Sequence, residues 1–176
     1  MADIVVDTGV IIGYGWTQDN SYPYCYRFFE KFPANDHSFY YPKMVKEELP
    51  HVRKKIAREN PEFGYELRLL YQFIREFLRN AKKLDYENSE YNWNLIFDVV
   101  AGEIMMYQQK QLTKISFDAN HITHYVCFCL EKGSDLAHFF ITTDRNIYKV
   151  KQKLQRAVCN ALDDEVHINI EIIWNF

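Results

Sequence analysis

The chain has 176 residues, of which 48% are hydrophobic and 26% are charged, and its formal net charge at pH 7 is −3. This apolar fraction suffices for one core, so we expect a single domain over residues 1–176 and exclude intrinsic disorder, which requires an apolar-poor chain. No apolar run reaches the roughly 20 residues of a membrane span, and the first residues lack signal-peptide features, so we expect a cytoplasmic protein without membrane contact.

Short β-type runs alternate with long helical patterns along the chain. In chain order the pattern predicts a strand at 4–6, a helix at 22–32, a strand at 37–41, helices at 44–58, about 60–78, 91–109 and 119–132, a strand at 138–143, a helix at 147–157 and a strand at 167–174. Strands separated by helices pair in parallel through right-handed crossovers. The predicted fold class is therefore α/β, a three-layer α/β/α sandwich with a central, mostly parallel sheet.

Two segments leave details of this prediction open. Pro50 either interrupts the helix at 44–58 or restarts it, because proline removes a helical hydrogen bond. The segment at about 60–114 shows helical patterns and no clear strand, and we interpret it as an extended helical elaboration on the sheet domain. The four cysteines include no C-x-x-C pair, so the usual zinc spacing is missing and we expect free, buried thiols.

Two of the predicted strands end directly in an acidic residue, Asp7 after the first strand and Asp144 after the third. In open α/β sheets the functional crevice lies beyond the carboxyl ends of the strands, so neighbouring strands would bring both carboxylates together. Two adjacent carboxylates repel each other, and a hard divalent cation such as Mg²⁺ or Mn²⁺ compensates that repulsion with oxygen-only coordination. The pattern therefore favours a divalent-metal site.

Each acidic residue also has a simpler structural interpretation. Asp7, Asp144 and Asp118 stand where helices are predicted to begin, and aspartate is a preferred N-cap. Glu47 and Glu48 could be solvent-facing charges on one helix, and only one of them can point into a site because helical neighbours diverge by about 100°. The residues taken singly leave these alternatives open.

The order of the acidic residues resembles that of the PIN-domain nucleases, which include toxin–antitoxin ribonucleases and RNA-processing enzymes. Four stretches carry the resemblance, and each ends or begins a predicted strand or helix. They are IVVDTGVII at 4–12, YYPKMVKEEL at 40–49, DANHI at 118–122 and FITTDRNI at 140–147. The helical stretch at 60–114 is longer than in small members of the family.

The resemblance implies a metal-dependent endoribonuclease that hydrolyses phosphodiester bonds, usually of single-stranded RNA. Asp7, Glu48, Asp118 and Asp144 would be the catalytic metal ligands for Mg²⁺ or Mn²⁺, with Glu47 as the alternative to Glu48. Thr8 and Thr143 would hydrogen-bond a carboxylate or the attacking water. The family also implies a homodimer and an antitoxin-like protein partner.

The alternative function is a binding module for RNA or protein with vestigial catalysis. Residues 43–83 hold 11 Lys and Arg against 6 Glu, whereas the rest of the chain is acidic. This basic segment is either a phosphate-binding surface or a solvated helix face. We expect Arg53, Lys54 and Lys55 to contact RNA.

Two further features have ordinary structural interpretations. His121 and His124 follow Asp118 at helical spacing, and we expect surface histidines there more than a zinc site. Most of the 29 aromatic side chains must belong to the core, although some could stack on exposed bases. Tyr22, Tyr24 and Tyr26 cannot be distinguished by sequence in this respect.

Overall fold

The computed structural model describes residues 1–133 and 137–176, and in this part of the chain a five-stranded, all-parallel sheet lies at the centre of the fold. The strand order is β3-β2-β1-β4-β5. The strands are β1 (Asp3–Val6), β2 (Ser38–Pro42), β3 (Lys82–Leu84), β4 (His138–Thr142) and β5 (Ile170–Ile172). The helices are α1 (Thr8–Gly15), α2 (Tyr22–Lys31), α3 (Val45–Glu59), α4 (Gly64–Asn80), α5 (Trp93–Gln108), α6 (Leu112–Lys132) and α7 (Arg145–Leu162), and the 3₁₀ turn Ile173–Asn175 follows β5.

The helices form one layer on each face of the sheet, which confirms the predicted three-layer α/β/α class. Alternate residues of β1 point to opposite faces, as the two-residue period of a strand requires. Val5 contributes to the core beneath α5, α6 and α7. Ile4 and Val6 contribute to the other core, beneath α1, α2, α3 and α4.

The central pair β1 and β4 is buried on both faces, which explains its continuous apolar sequence. Ile4 is opposite Phe139 and Val6 is opposite Ile141 in the parallel register. Because the strands are in register, the residues that follow them, Asp7 and Thr143–Asp144, emerge at the same edge of the sheet. This edge is the predicted location of the site.

Three boundary predictions are corrected. The segment at 60–114 contains β3, a short edge strand that pairs with β2; two of its three residues are exposed lysines, so it lacks an apolar pattern. α6 begins at Leu112 and not near residue 119. The last strand covers only Ile170–Ile172. Pro50 lies inside α3, which continues through it.

The cysteines and the helix lengths of the described residues bear on two expectations from the sequence. Cys25, Cys127 and Cys129 are buried, Cys159 is partly buried, and all four are free thiols as expected. In residues 1–133 and 137–176, no helix is both long enough and apolar enough to span a bilayer.

Candidate active site

Asp7 is held at the junction of β1 and α1 by hydrogen bonds to both of its carboxylate oxygens. Its Oδ1 accepts from the backbone N–H of Val10 at 2.8 Å, which caps α1, and its Oδ2 accepts from the hydroxyl of Thr142 at 2.5 Å. Burial raises the pKa of Asp7 from 3.8 to about 7. The two hydrogen bonds lower it less than burial raises it, and the charges of Glu48 and Asp144 raise it further.

Asp144 occupies the matching junction of β4 and α7. Its Oδ1 accepts from the N–H of Asn146 at 2.6 Å and so caps α7. Its own N–H donates to the hydroxyl of Thr142 at 2.9 Å. Thr142 therefore connects the two aspartates, and the capping interpretation of Asp7 and Asp144 is compatible with a shared site.

Glu48 reaches the same region from α3. Its Oε2 accepts a short hydrogen bond from the hydroxyl of Thr8, the first residue of α1. Burial raises the pKa of Glu48, while the hydrogen bond from Thr8 and the charge of His51 oppose the rise. Glu47 is exposed to solvent. The geometry thus distinguishes Glu48 from its neighbour as the glutamate that faces α1.

Asp118 is the seventh residue of α6, so the interpretation that it caps a helix is wrong. The Ser-Phe-Asp sequence resembles a helix start, but α6 begins six residues before Asp118, at Leu112. Burial raises the pKa of Asp118 from 3.8 to about 7, and the charges of Asp144, Asp7 and Glu48 raise it further, against a lowering effect of Lys110. All three other acidic residues therefore act electrostatically on Asp118.

Thr142, whose hydroxyl donates to Asp7, was not singled out from the sequence; Thr143 was named as a residue that hydrogen-bonds a carboxylate or the attacking water. Thr143 instead packs against Gly9: a Cβ atom built on Gly9 would lie 2.1 Å from Oγ1 of Thr143. Glycine at position 9 thus permits the close approach of α1 to the end of β4. The available signal was position along the strand, because Thr142 is the last residue of β4, pairs with Ile172 of β5, and its hydroxyl reaches Asp7 just beyond β1.

His121 and His124 are buried, so the expectation of surface histidines is wrong. Burial lowers the pKa of His121 to about 3, with a further contribution from His124, and the ring is neutral at pH 7. Its Nε2 lies 3.7 Å from Oε2 of Glu48, which is too long for a hydrogen bond. His124 points elsewhere: its Nδ1 accepts from the N–H of Tyr86 at 3.2 Å.

A cleft of about 380 Å³ opens beside these side chains. Thr8, Gly9 and Glu48 form one part of its wall, and Thr143 and Trp174 form another. Its other lining residues are Ile12, Asp19, Asn20, Ser21 and Val52. The cleft is large enough for a nucleotide-sized group, and Glu48 is the one of the four proposed ligands that lines it.

The predicted basic contacts lie on α3, beyond Glu48. Lys54 and Lys55 are exposed. Arg53 is half-buried, with its guanidinium group 3.9 Å from the centre of the Tyr71 ring. This stacking fixes the position of Arg53 on the helix. Contact of these three residues with RNA stays a prediction.

The carboxylates have the donor chemistry of a hard-cation site but are not assembled into one. Among the residues that the structure describes, no three His, Cys, Asp or Glu side chains are close enough together to hold a metal ion. Asp7 and Glu48 instead satisfy their oxygens with Thr142, Val10 and Thr8. Four carboxylates from four different elements nevertheless present only oxygen donors, which Mg²⁺ and Mn²⁺ prefer.

Similarity to known proteins is found among solved structures. No protein-family model and no curated protein matches this sequence. Among solved structures, the chain is similar to the crystal structure of VapBC2 from Rickettsia felis bound to a DNA fragment from its promoter, with 12% sequence identity and a TM-score of 0.48. The similarity covers 97% of this chain and 98% of that chain.

Proposed function

We propose that this protein is a metal-dependent endoribonuclease that hydrolyses phosphodiester bonds in single-stranded RNA. Asp7, Glu48, Asp118 and Asp144 are its proposed metal ligands, for Mg²⁺ or Mn²⁺. The observation that carries the proposal is the meeting of Asp7 and Asp144 at the ends of the adjacent strands β1 and β4, where the Thr142 hydroxyl donates to Asp7 and accepts from the N–H of Asp144. Burial and the other carboxylates also raise the pKa of Asp7 and of Asp118 to about 7. Such a group of like charges is costly unless a cation balances it.

The cation and the side chains have different roles in the proposed chemistry. A bound divalent cation would lower the pKa of water and stabilise charge that develops on the phosphate. Asp7 is oriented by Val10 and Thr142, and Glu48 by Thr8, so both carboxylates enter the site in fixed positions. Protons on Asp7 and Asp118 would leave when the cation binds, because metal ligation requires the deprotonated form.

The negative charge of the site explains why cleavage should require the cation. RNA phosphates are repelled by ionised carboxylates, and the opposite charge of a bound cation removes that repulsion. Thr8 supports the proposed site by donating its hydroxyl to Glu48, and Thr142 does so by donating to Asp7. The homodimer, the antitoxin-like partner and the single-domain organisation stay predictions.

The direct test is cleavage of a labelled single-stranded RNA by the purified full chain. We expect cleavage with Mn²⁺ or Mg²⁺ and none with EDTA. In Asp7→Asn the rate should fall at least about 100-fold, because the metal ligand loses its charge while asparagine still caps α1. Asp36→Asn is the matched control, since Asp36 is exposed and precedes β2 at the opposite edge of the sheet.

Two other results would contradict the proposal. RNA binding by the wild type without cleavage under either metal would overturn the nuclease proposal and favour a binding module. Equal cleavage by the wild type and Asp7→Asn would assign the activity to a contaminant or to another site.

A further inference from the structure

Beside the acidic residues, the cleft has an aromatic wall that the proposed chemistry does not use. Trp174 lies in the 3₁₀ turn after β5 and lines the cleft together with Thr8, Gly9, Glu48 and Thr143. The indole is half-buried, so part of its surface faces solvent. The carboxyl edge of the sheet therefore brings an aromatic ring into the same cleft as Glu48.

Trp174 belongs to a stack of aromatic rings and arginines. The ring of Tyr24, from α2, is nearly parallel to the indole, with 5.4 Å between the ring centres and 14° between the planes. The guanidinium carbon of Arg145 lies 5.6 Å from the centre of the indole, and that of Arg27 lies 5.0 Å from the centre of the Tyr24 ring. Both arginines are exposed. We call these four residues, Arg145, Trp174, Tyr24 and Arg27, the stacking platform.

The composition of the platform matches the chemistry of unpaired nucleotides. Bases that are not paired stack on aromatic rings and on guanidinium planes, and their phosphates attract arginine. Duplex RNA does not offer its base faces in this way. The guanidinium group of Arg145 lies over the ring of Trp174, which lines the cleft, so a strand bound in the cleft would pass close to this positive charge.

We propose that the stacking platform is a nucleobase-binding subsite that holds one unpaired base of single-stranded RNA against the part of Trp174 that lines the cleft, beside the scissile phosphate. Arg145 contacts the adjoining phosphate, and Tyr24 supports the indole from α2. This inference rests on the proposed function for its substrate. It adds a requirement for a base at one position of the strand, which phosphate attraction alone does not create.

The test compares base-dependent binding in two proteins. Fluorescence anisotropy measures the affinity of full-length chain for a labelled single-stranded RNA, in EDTA and at low salt, and for the same strand with one abasic position moved along it. For the wild type we expect removal of the base at one position to weaken binding about 5- to 100-fold, the range of base–aromatic stacking. In Trp174→Ala this difference should fall below about twofold.

Controls separate stacking from a structural role. Trp174→Phe keeps an aromatic face and should retain most of the base dependence. Trp93→Ala removes a half-buried tryptophan that packs on His124, away from the cleft, and should leave it unchanged. Thermal unfolding shows whether Trp174→Ala is folded. If it is not, the base dependence of Trp174→Phe and of Tyr24→Ala, each compared with that of the wild type, decides whether the platform binds a base.

The outcomes distinguish the two proposals. Unchanged base dependence in Trp174→Ala, or equal affinity of the wild type for all strands, would overturn the subsite even if metal-dependent cleavage is found. Base-dependent binding that needs Trp174, with no cleavage under Mg²⁺ or Mn²⁺, would retain the subsite and overturn the nuclease.

Discussion

Two groups of acidic side chains lie beyond the carboxyl ends of the same sheet, and they differ in how their charge is balanced. Asp85 and Glu87, which follow β3, form ion pairs with lysines. Lys43 contacts Glu87 at 2.7 Å and Asp85 at 3.4 Å, and Lys83 contacts Asp85 at 3.0 Å. Burial raises the pKa of Asp85 to some degree, but the hydrogen bonds and charges of Lys83 and Lys43 outweigh it and lower the pKa.

The second group, Asp7, Glu48, Asp118 and Asp144, has no such partners. None of the ion pairs in the described part of the chain joins a lysine or arginine to these four carboxylates. The pKa values of Asp7 and Asp118 are correspondingly raised to about 7. Position at the carboxyl edge of the sheet therefore does not by itself leave carboxylates without a counter-charge. Burial without a protein counter-charge is the feature that distinguishes one acidic group from the other.

The largest expected difference between the groups is in catalysis. Asp144→Asn should lower the rate of RNA cleavage at least about 100-fold, because it removes a proposed metal ligand. Its thermal unfolding should be unchanged or improved, since asparagine can still cap α7 and one negative charge is lost. Asp85→Asn, the matched change in the other group, should alter the rate by less than about twofold. A large stability loss in Asp144→Asn with normal cleavage would instead assign Asp144 to capping alone.

The second difference concerns the pH dependence of stability. Folded Asp7 has a pKa of about 7 against 3.8 ordinarily, so between these values the folded state binds a proton that the unfolded state does not. Wild-type stability therefore falls as pH rises from about 4 to 7 on account of this group. Asp7→Asn escapes this loss, and its advantage in EDTA should grow over the same range to about 1–3 kcal/mol and stay constant above pH 7.

Denaturant unfolding at several pH values measures this advantage. His121 and His124 have pKa values lowered by burial, to about 3 and 4, so they destabilise the fold as pH falls. Both histidines are present in the wild type and in Asp7→Asn, and their effect cancels in the difference. Asp36→Asn, which replaces an exposed carboxylate, is the control variant. A stability difference that does not vary with pH would contradict the raised pKa of Asp7.

A smaller effect is expected from the basic residues on α3. Replacing Arg53, Lys54 and Lys55 together by glutamine should weaken binding of single-stranded RNA and reduce the slope of log affinity against log salt by about 2 if all three contact phosphates. Arg53 also packs on Tyr71, so a double Lys54→Gln, Lys55→Gln variant isolates the electrostatic contribution. An unchanged salt slope in both variants would remove this surface from the RNA path.

The sequence predicted the positions of Asp7 and Asp144 better than that of Asp118. Asp7 and Asp144 follow buried apolar strands, and the parallel pairing of such strands brings their ends together. Asp118 was expected at the start of a helix but lies inside α6. Gln111, at the true start of α6, provides no side-chain cap that could mark that start in the sequence. The approach of Asp118 to the other carboxylates depends on the packing of α6 against the sheet, which no local pattern encodes.

The histidines and β3 show two other reasons why sequence patterns fail. Every residue from 121 to 129 of α6 is buried, so the helix has no polar face and the polarity of His121 and His124 wrongly indicated a surface. β3 is an edge strand with two exposed lysines and only Leu84 buried. A three-residue strand of this kind is defined by its pairing with β2, and such pairing is a long-range property.

The smallest predicted effect concerns the ion pairs of Asp85 and Glu87 with lysine. Lys43→Met should lower the free energy of unfolding by less than about 1 kcal/mol, because its ion pairs with Asp85 and Glu87 are partly exposed and screened by water and salt. The loss should shrink further at high salt, and cleavage should be unaffected. Denaturant unfolding at low and high salt measures the effect, with Arg156→Met, at an exposed position of α7, as the control for removing a surface cation. If Lys43→Met instead produced a Mn²⁺-dependent gain in stability, Asp85 and Glu87 would themselves bind a cation once freed of lysine. In that case the counter-charge alone, and not the depth of burial, would separate the two acidic groups.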